Sequence, residues 1–191
     1  MAPRPPGADQ LEHVQELNRL FLTVLQSCVQ NKLDCLGLPN GAHSALRSAS
    51  GALLDSVADF PRALFQICLD DHEAADGHTA PTTRIETIRQ SMNLTILLCA
   101  WTFSRQSVYQ ARFLLGLESR GIQRLRALQL TDLQRLALTP QLVICAFAHR
   151  EWLWTELLTE TRPETRRQLA LIALQPGIEQ EWPFKRSAHL S

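Results

Sequence analysis

Between residues 105 and 135 the chain carries Arg105, Arg112, Arg120, Arg124, Arg126 and Arg135 against only Glu118 and Asp132. Guanidinium groups at that density suit phosphate oxygens, which they grip through paired N–H donors, or a carboxylate-rich protein surface. Arg120, Arg124 and Arg126 crowd one short segment and are the first candidates for contacts with a DNA backbone. A solvated helix face produces the same pattern, and the balance of 19 basic against 19 acidic residues is unlike the strongly basic composition of most DNA-binding domains. Arg166 and Arg167 lie in a second stretch, 152–174, long enough for a helix-turn-helix. There Glu151, Glu156, Glu160 and Glu164 offset the positive charge. That favours a dimerisation or docking hairpin burying Trp152, Leu157, Leu158, Leu169 and Ile172.

Other chemistry is weaker. His72, Glu73, Asp76 and His78 carry metal-binding atoms, but they share a polar stretch with Gly77 and no thiol, the composition of a solvated loop. The five cysteines, Cys28, Cys35, Cys68, Cys99 and Cys145, form no C-x-x-C pair and no zinc-finger spacing with histidine. Their apolar settings fit reduced thiols, with Cys28, Cys35 and Cys99 on core-facing helix sides. His149, beside Arg150 and Glu151, has no catalytic partner placed by a motif. No G-x-S-x-G, P-loop or H-E-x-x-H pattern occurs. The sequence therefore supports neither an enzyme nor a metal or cofactor site.

The 191 residues allow one large domain or two small ones, and 45% apolar content excludes a disordered chain. Charge is unevenly spread. Residues 1–80 carry five basic against ten acidic residues, a net of −5, and residues 81–191 carry fourteen against nine, a net of +5. No apolar stretch is long enough to span a bilayer and the N-terminus lacks an apolar core, so a cytoplasmic protein is expected.

The elements that must position these residues come in two copies. A shift of 79 residues aligns Val14–Cys68 with Asn93–Phe147, giving 10 identities in 55 positions, where composition alone gives roughly four. Leu36-Gly37-Leu38 meets Leu115-Gly116-Leu117, Leu46-Arg47 meets Leu125-Arg126, Leu54 meets Leu133, and Pro61 meets Pro140. We read a diverged tandem duplication of all-α class. Apolar residues spaced by three and four predict long amphipathic helices over Leu11–Leu36 and Ile85–Leu115, both ending at Leu-Gly-Leu, where Gly suits a left-handed cap. Short helices follow around 42–48 and 120–128. A third pair is expected at 52–58 and after Leu130, where Thr131-Asp132-Leu133-Gln134 suits a capped start. The runs 63–69 and 142–148 admit either a short extended segment or buried helix. Residues 70–84 read as a linker and 176–191 as an irregular tail.

The second copy resembles the FlhD family of flagellar transcriptional activators. The resemblance rests on Ile88-Arg89-Gln90-Ser91-Met92-Asn93-Leu94-Thr95-Ile96-Leu97-Leu98-Cys99-Ala100, on Phe113-Leu114-Leu115-Gly116-Leu117, on Leu125–Leu136, on Gln141-Leu142-Val143 and on the stretch 156–174. It spans about 90 residues, and the first copy resembles the same core more weakly. It implies a helical protein that dimerises, assembles with an FlhC-like protein holding the complex's zinc, and binds promoter DNA through that complex. Further oligomerisation is compatible with it. The family's dimer can carry an inter-subunit disulfide just after the Gln-Leu-Val run; Cys145 lies one residue beyond that position. The expected fold is two FlhD-like repeats, 11–69 and 85–175, facing each other as an intrachain pseudo-dimer. The expected function is an activator subunit. The alternative is a helical adaptor, or an FlhD-mimicking regulator that does not itself bind DNA. Charge predicts that the basic copy meets phosphates and the acidic copy a protein partner.

Overall fold

The computed structural model describes residues 7–69, 83–160 and 162–174. Its first segment runs α1 (Ala8–Gln30), a 3-10 turn (Asn40–Ala42), α2 (His43–Ser48), α3 (Gly51–Ala58) and β1 (Phe65–Ile67). The second runs α4 (Arg84–Gln106), α5 (Val108–Leu115), α6 (Ser119–Ala127), α7 (Leu130–Ala137) and β2 (Val143–Cys145). A hairpin of α8 (Glu151–Thr159) and α9 (Pro163–Leu174) follows. The chain is mostly helical, as its periodicity predicts, and the two undecided runs each supply one short strand.

Sequence explains the helix ends. Thr83 and Glu86 form a reciprocal capping box at the start of α4, with Glu86 N–H donating to Thr83 Oγ1 at 3.2 Å and Thr83 N–H to Glu86 Oε2 at 2.9 Å. The expected helix over 85–115 is two helices. Ser107 is extended (φ −156°, ψ 113°), and its hydroxyl caps α5 by accepting from Gln110 N–H. α5 closes at Gly116 with φ 68°, as expected of a glycine cap. The first long helix instead stops at Gln30, and positive φ at Lys32, Leu36 and Gly37 turns the chain toward α2. α7 starts two residues earlier than a Thr131 cap implies: Gln129 is the N-cap, and its N–H donates to Asp132.

α1 and α4 pack together at the centre, with α3 against α1 and with α5, α6 and α7 against α4. Val14, Phe21, Leu22, Leu25 and Cys28 of α1 meet Met92, Ile96, Leu97 and Ala100 of α4 in one buried core. Each fully buried Phe or Leu contributes about 1.5–3 kcal/mol. β1 pairs antiparallel with β2, with Phe65 opposite Cys145, Gln66 opposite Ile144 and Ile67 opposite Val143. Flanking bonds from Cys68 N–H to Leu142 O (2.8 Å) and from Ala146 N–H to Leu64 O (2.9 Å) lengthen this ladder at both ends. Each strand region also reaches the other segment at or beside its Leu-Gly-Leu stretch: Ala63 N–H donates at 2.8 Å to the O of Leu114, the residue before Leu115-Gly116-Leu117, and Cys145 N–H to Leu36 O at 2.7 Å.

Two buried asparagines tie the long helices to the loops before the strands. Asn18, fully buried, donates to the carbonyls of Ala58, Phe60 and Arg62 and accepts from Leu64 N–H at 2.8 Å. Asn93 donates to the carbonyls of Ala137 and Thr139. These two asparagines are 75 residues apart, whereas the carbonyls they hold are 79 apart. The ungapped shift of 79 expected from the sequence thus matches the spacing of these carbonyls but not that of the asparagines. The four-residue difference, about one helical turn, falls where α5 follows α4.

The α8–α9 hairpin follows the second segment in sequence but packs on the first. α8 contacts the 3-10 turn, α2 and α3. Trp154, fully buried, donates its indole N–H to Ala146 O at 2.8 Å, and Leu157, Leu158 and Leu169 are buried as expected. Trp152 and Ile172 are only half-buried.

Candidate interaction surface

The arginines of 105–135 do not form one uniform face. Arg120 and Arg126 are exposed on α6, while Ile122 and Leu125 fix its buried side. Arg124 is half-buried and donates to the Leu69 carbonyl at the end of β1. Arg124 and Arg126 also occupy the last turn of α6, where a cation complements the partial negative charge of the helix end. Arg105 lies over the Trp101 ring, 4.5 Å from guanidinium carbon to centroid, and Trp101 donates its indole N–H to Leu128 O. That contact uses part of the positive charge for packing. Arg112 and Arg135 are exposed.

The hairpin arginines differ again. Arg166 is half-buried and directs its guanidinium inward, donating to Ser56 Oγ on α3 and to Glu160 O, while its Nε is buried without a hydrogen-bond partner among the described residues. Arg166 thus ties α9 to the first segment. Arg167 lies on α9, but its side chain is outside the described residues. His72, Glu73, Asp76 and His78 are also outside them, and no group of three His, Cys, Asp or Glu side chains suited to a metal occurs among the described residues.

The two Leu-Gly-Leu stretches share a local geometry. Leu36, Leu38, Leu115 and Leu117 are buried, with Gly37 and Gly116 at φ 75° and 68° between them. Gly37 has open space beside its Cα, whereas a Cβ on Gly116 would meet the Arg62 guanidinium. Arg62 comes from the first segment, and burial lowers its pKa. None of the five cysteines is in a disulfide. Burial pushes Cys99 up to about 11 and raises Cys28, Cys35 and Cys145, which keeps these thiols protonated and poorly nucleophilic.

Exposed apolar side chains concentrate where the charge pattern did not place them. In the first segment Leu33 alone among the described residues is a large exposed hydrophobic; the second exposes Ile88, Val108, Tyr109, Phe113, Leu130 and Leu138. Tyr109 and Phe113 stack on α5 with centroids 6.0 Å apart. The basic segment therefore carries the features of a protein-docking surface as well, and composition alone could not show this.

Comparison with known families decides the relationship. A family model described as "Flagellar transcriptional activator (FlhD)" matches residues 80–176, from just before α4 to just beyond α9. The chain belongs to the FlhD family. No curated protein matches it, and no solved structure does. The FlhD match covers the second segment and the hairpin, the region that carries Asn93, Gly116 and every candidate DNA-contacting arginine. The family is one of transcriptional regulators rather than enzymes, and no helix among the described residues is long and apolar enough to cross a membrane.

Sequence reasoning missed Asn18. Ungapped alignment set it against Leu97, so its likeness to Asn93 was hidden by the one-turn slip. A buried polar residue in an otherwise apolar stripe was the available signal.

Proposed function

We propose that this chain is a cytoplasmic subunit of an FlhDC-like transcriptional activator complex, that it binds an FlhC-like zinc protein, and that it reaches promoter DNA through that complex. Membership of the FlhD family over α4–α9 carries this reading. We further propose two FlhD-like repeats, 11–69 and 85–175, joined by a linker at 70–84 and followed by a tail at 176–191, with the repeats paired as an intrachain pseudo-dimer. The matching roles of Asn18 and Asn93, the equal lengths of α3 and α7, and the antiparallel pairing of β1 with β2 support it. A tandem copy supplies the apolar face that an amphipathic long helix needs, without a concentration-dependent association step.

Among Arg120, Arg124, Arg126, Arg166 and Arg167, Arg126 suits a phosphate best, because it is exposed at the end of α6 while Arg124 and Arg166 hold carbonyls or a hydroxyl of this chain. Such contacts would position the complex and carry no base specificity. The second reading, an adaptor that touches only protein, is favoured by the exposed apolar side chains of the second segment. Co-expression with the FlhC-like protein, followed by promoter-fragment shift assays over a salt series, separates the two. Arg126→Ala should flatten the logarithmic salt slope by about 0.9, the loss of one phosphate contact. An unchanged slope places the DNA contacts in the partner and leaves the adaptor reading.

A further inference from the structure

From Asn93 to Leu115 the second segment has four residues more than the first has from Asn18 to Leu36. They are taken up by α5. In the first segment residues 31–39, all of them described, run from α1 to the 3-10 turn without a helix. α5 carries Val108, Tyr109 and Phe113, half of the second segment's large exposed hydrophobics among the described residues, each between 39% and 43% exposed. At about 100° per residue, Val108, Arg112, Tyr109 and Phe113 share one arc of about 140° around the helix. Tyr109 and Phe113 stack there, and Arg112 is exposed beside them. Ala111, Leu114 and Leu115 are buried on the other side of α5, which packs on α4, α6 and α1. Gln110 holds it to the first segment by donating to Gln10 Oε1 at 2.7 Å.

We propose that this α5 face is the seat of the FlhC-like partner, and that its single occurrence limits the chain to one such partner. The inference rests on the FlhDC-like and paired-repeat readings above and deepens them. The family match takes in the whole of α5 and leaves α1–β1 outside, so the region tied to that partner is the one carrying the face. Aromatic rings with an arginine beside them are the side chains that dominate binding energy at protein interfaces. An apolar groove for Tyr109 and Phe113, bordered by a carboxylate for Arg112, is the matching surface. A DNA duplex fits poorly, because the arc offers one cation and three apolar side chains. A second copy of this chain, related by a two-fold axis, would bring Arg112 toward its own copy, like charge against like. In a dimer of identical subunits symmetry presents every surface twice. Here the tandem copy supplies the core without a second α5. The residue that the 79-residue shift sets against Arg112 is Leu33, the first segment's one large exposed hydrophobic among the described residues.

The full-length chain is co-expressed with the FlhC-like protein, the purified complex is weighed by native mass spectrometry, and the affinity is measured by titration. The complex should contain the two proteins in equal number. Phe113→Ala should weaken binding about tenfold or more, and Arg112→Glu about tenfold with a reduced salt dependence, both at an unchanged melting temperature of the chain. Leu33→Ala should bind as the wild type does. Two partners on one chain, or wild-type affinity in both α5 variants, overturns the proposal and leaves the FlhDC-like reading standing. Absence of binding by the wild-type chain removes that reading and the proposal together. Contact between two copies of this chain that Phe113→Ala abolishes would assign α5 to self-association and overturns it too. Failure of the paired-repeat reading shows differently, as a concentration-dependent mass of the chain alone.

Discussion

The first and second segments solve the same packing problem with unequal resources. In the first, Asn18 holds three carbonyls and one N–H, α8 covers α2 and α3, and a single large hydrophobic, Leu33, is exposed among the described residues. In the second, Asn93 holds two carbonyls, no element among the described residues covers α6 and α7 as α8 covers α2 and α3, and the exposed hydrophobics accumulate. The hairpin packs on the acidic segment, and among the described residues the basic segment presents the larger share of exposed apolar side chains. Charge alone leads to the expectation that the acidic copy faces the protein partner; the exposed apolar side chains of the second segment argue for a protein contact there as well.

The sharpest way to break this comparison is at the asparagines. Asn18→Ala should cost roughly 3–4 kcal/mol in urea unfolding, because several buried backbone groups lose their partner at once. Asn93→Ala should cost roughly 2 kcal/mol, in keeping with its smaller set of bonds. Equal losses would remove the claimed asymmetry. The Leu-Gly-Leu loops give the next test. Gly37→Ala should cost about 1 kcal/mol for a left-handed alanine in open space, whereas Gly116→Ala should cost about 2 kcal/mol because it also displaces the buried Arg62 guanidinium. Thermal melts of the two variants compare them directly.

The smallest effect is pH-dependent and belongs to the second segment. Burial raises the Cys99 thiol from 9.0 to about 11. Below pH 9 both folded and unfolded chains keep this proton and stability is unaffected. As pH rises from 9 toward 11 the unfolded chain loses it first, so stability falls, by about 1 kcal/mol at pH 10. Cys99→Ala should remove that part of the alkaline decline, as read from chemical denaturation at pH 8 and pH 10.

Much of this was legible in the sequence. Apolar spacing located the helices, Gly116 marked a true end, and the order of weak matches in 88–174 pointed to the FlhD family. What was hidden depends on tertiary partners. The break at Ser107 is set by a hydroxyl cap inside a stripe that remains apolar on both sides. The inward turn of Arg166 depends on Ser56, 110 residues away in sequence. The docking of the hairpin on the first segment rather than the second depends on a partner far off in sequence, because Glu151 binds the backbone N–H of Gly41, where a Cβ would meet the carboxylate.

The central claim is that the two segments do within one chain what a pair of FlhD-type subunits does between chains. Light scattering on the eluting peak, for the purified chain alone over a hundredfold range of concentration, tests it most directly. The account predicts a constant mass of one 21.5 kDa chain. A mass of twice that, falling back to one chain on dilution, would show that the pairing face is still open and would contradict the intrachain dimer.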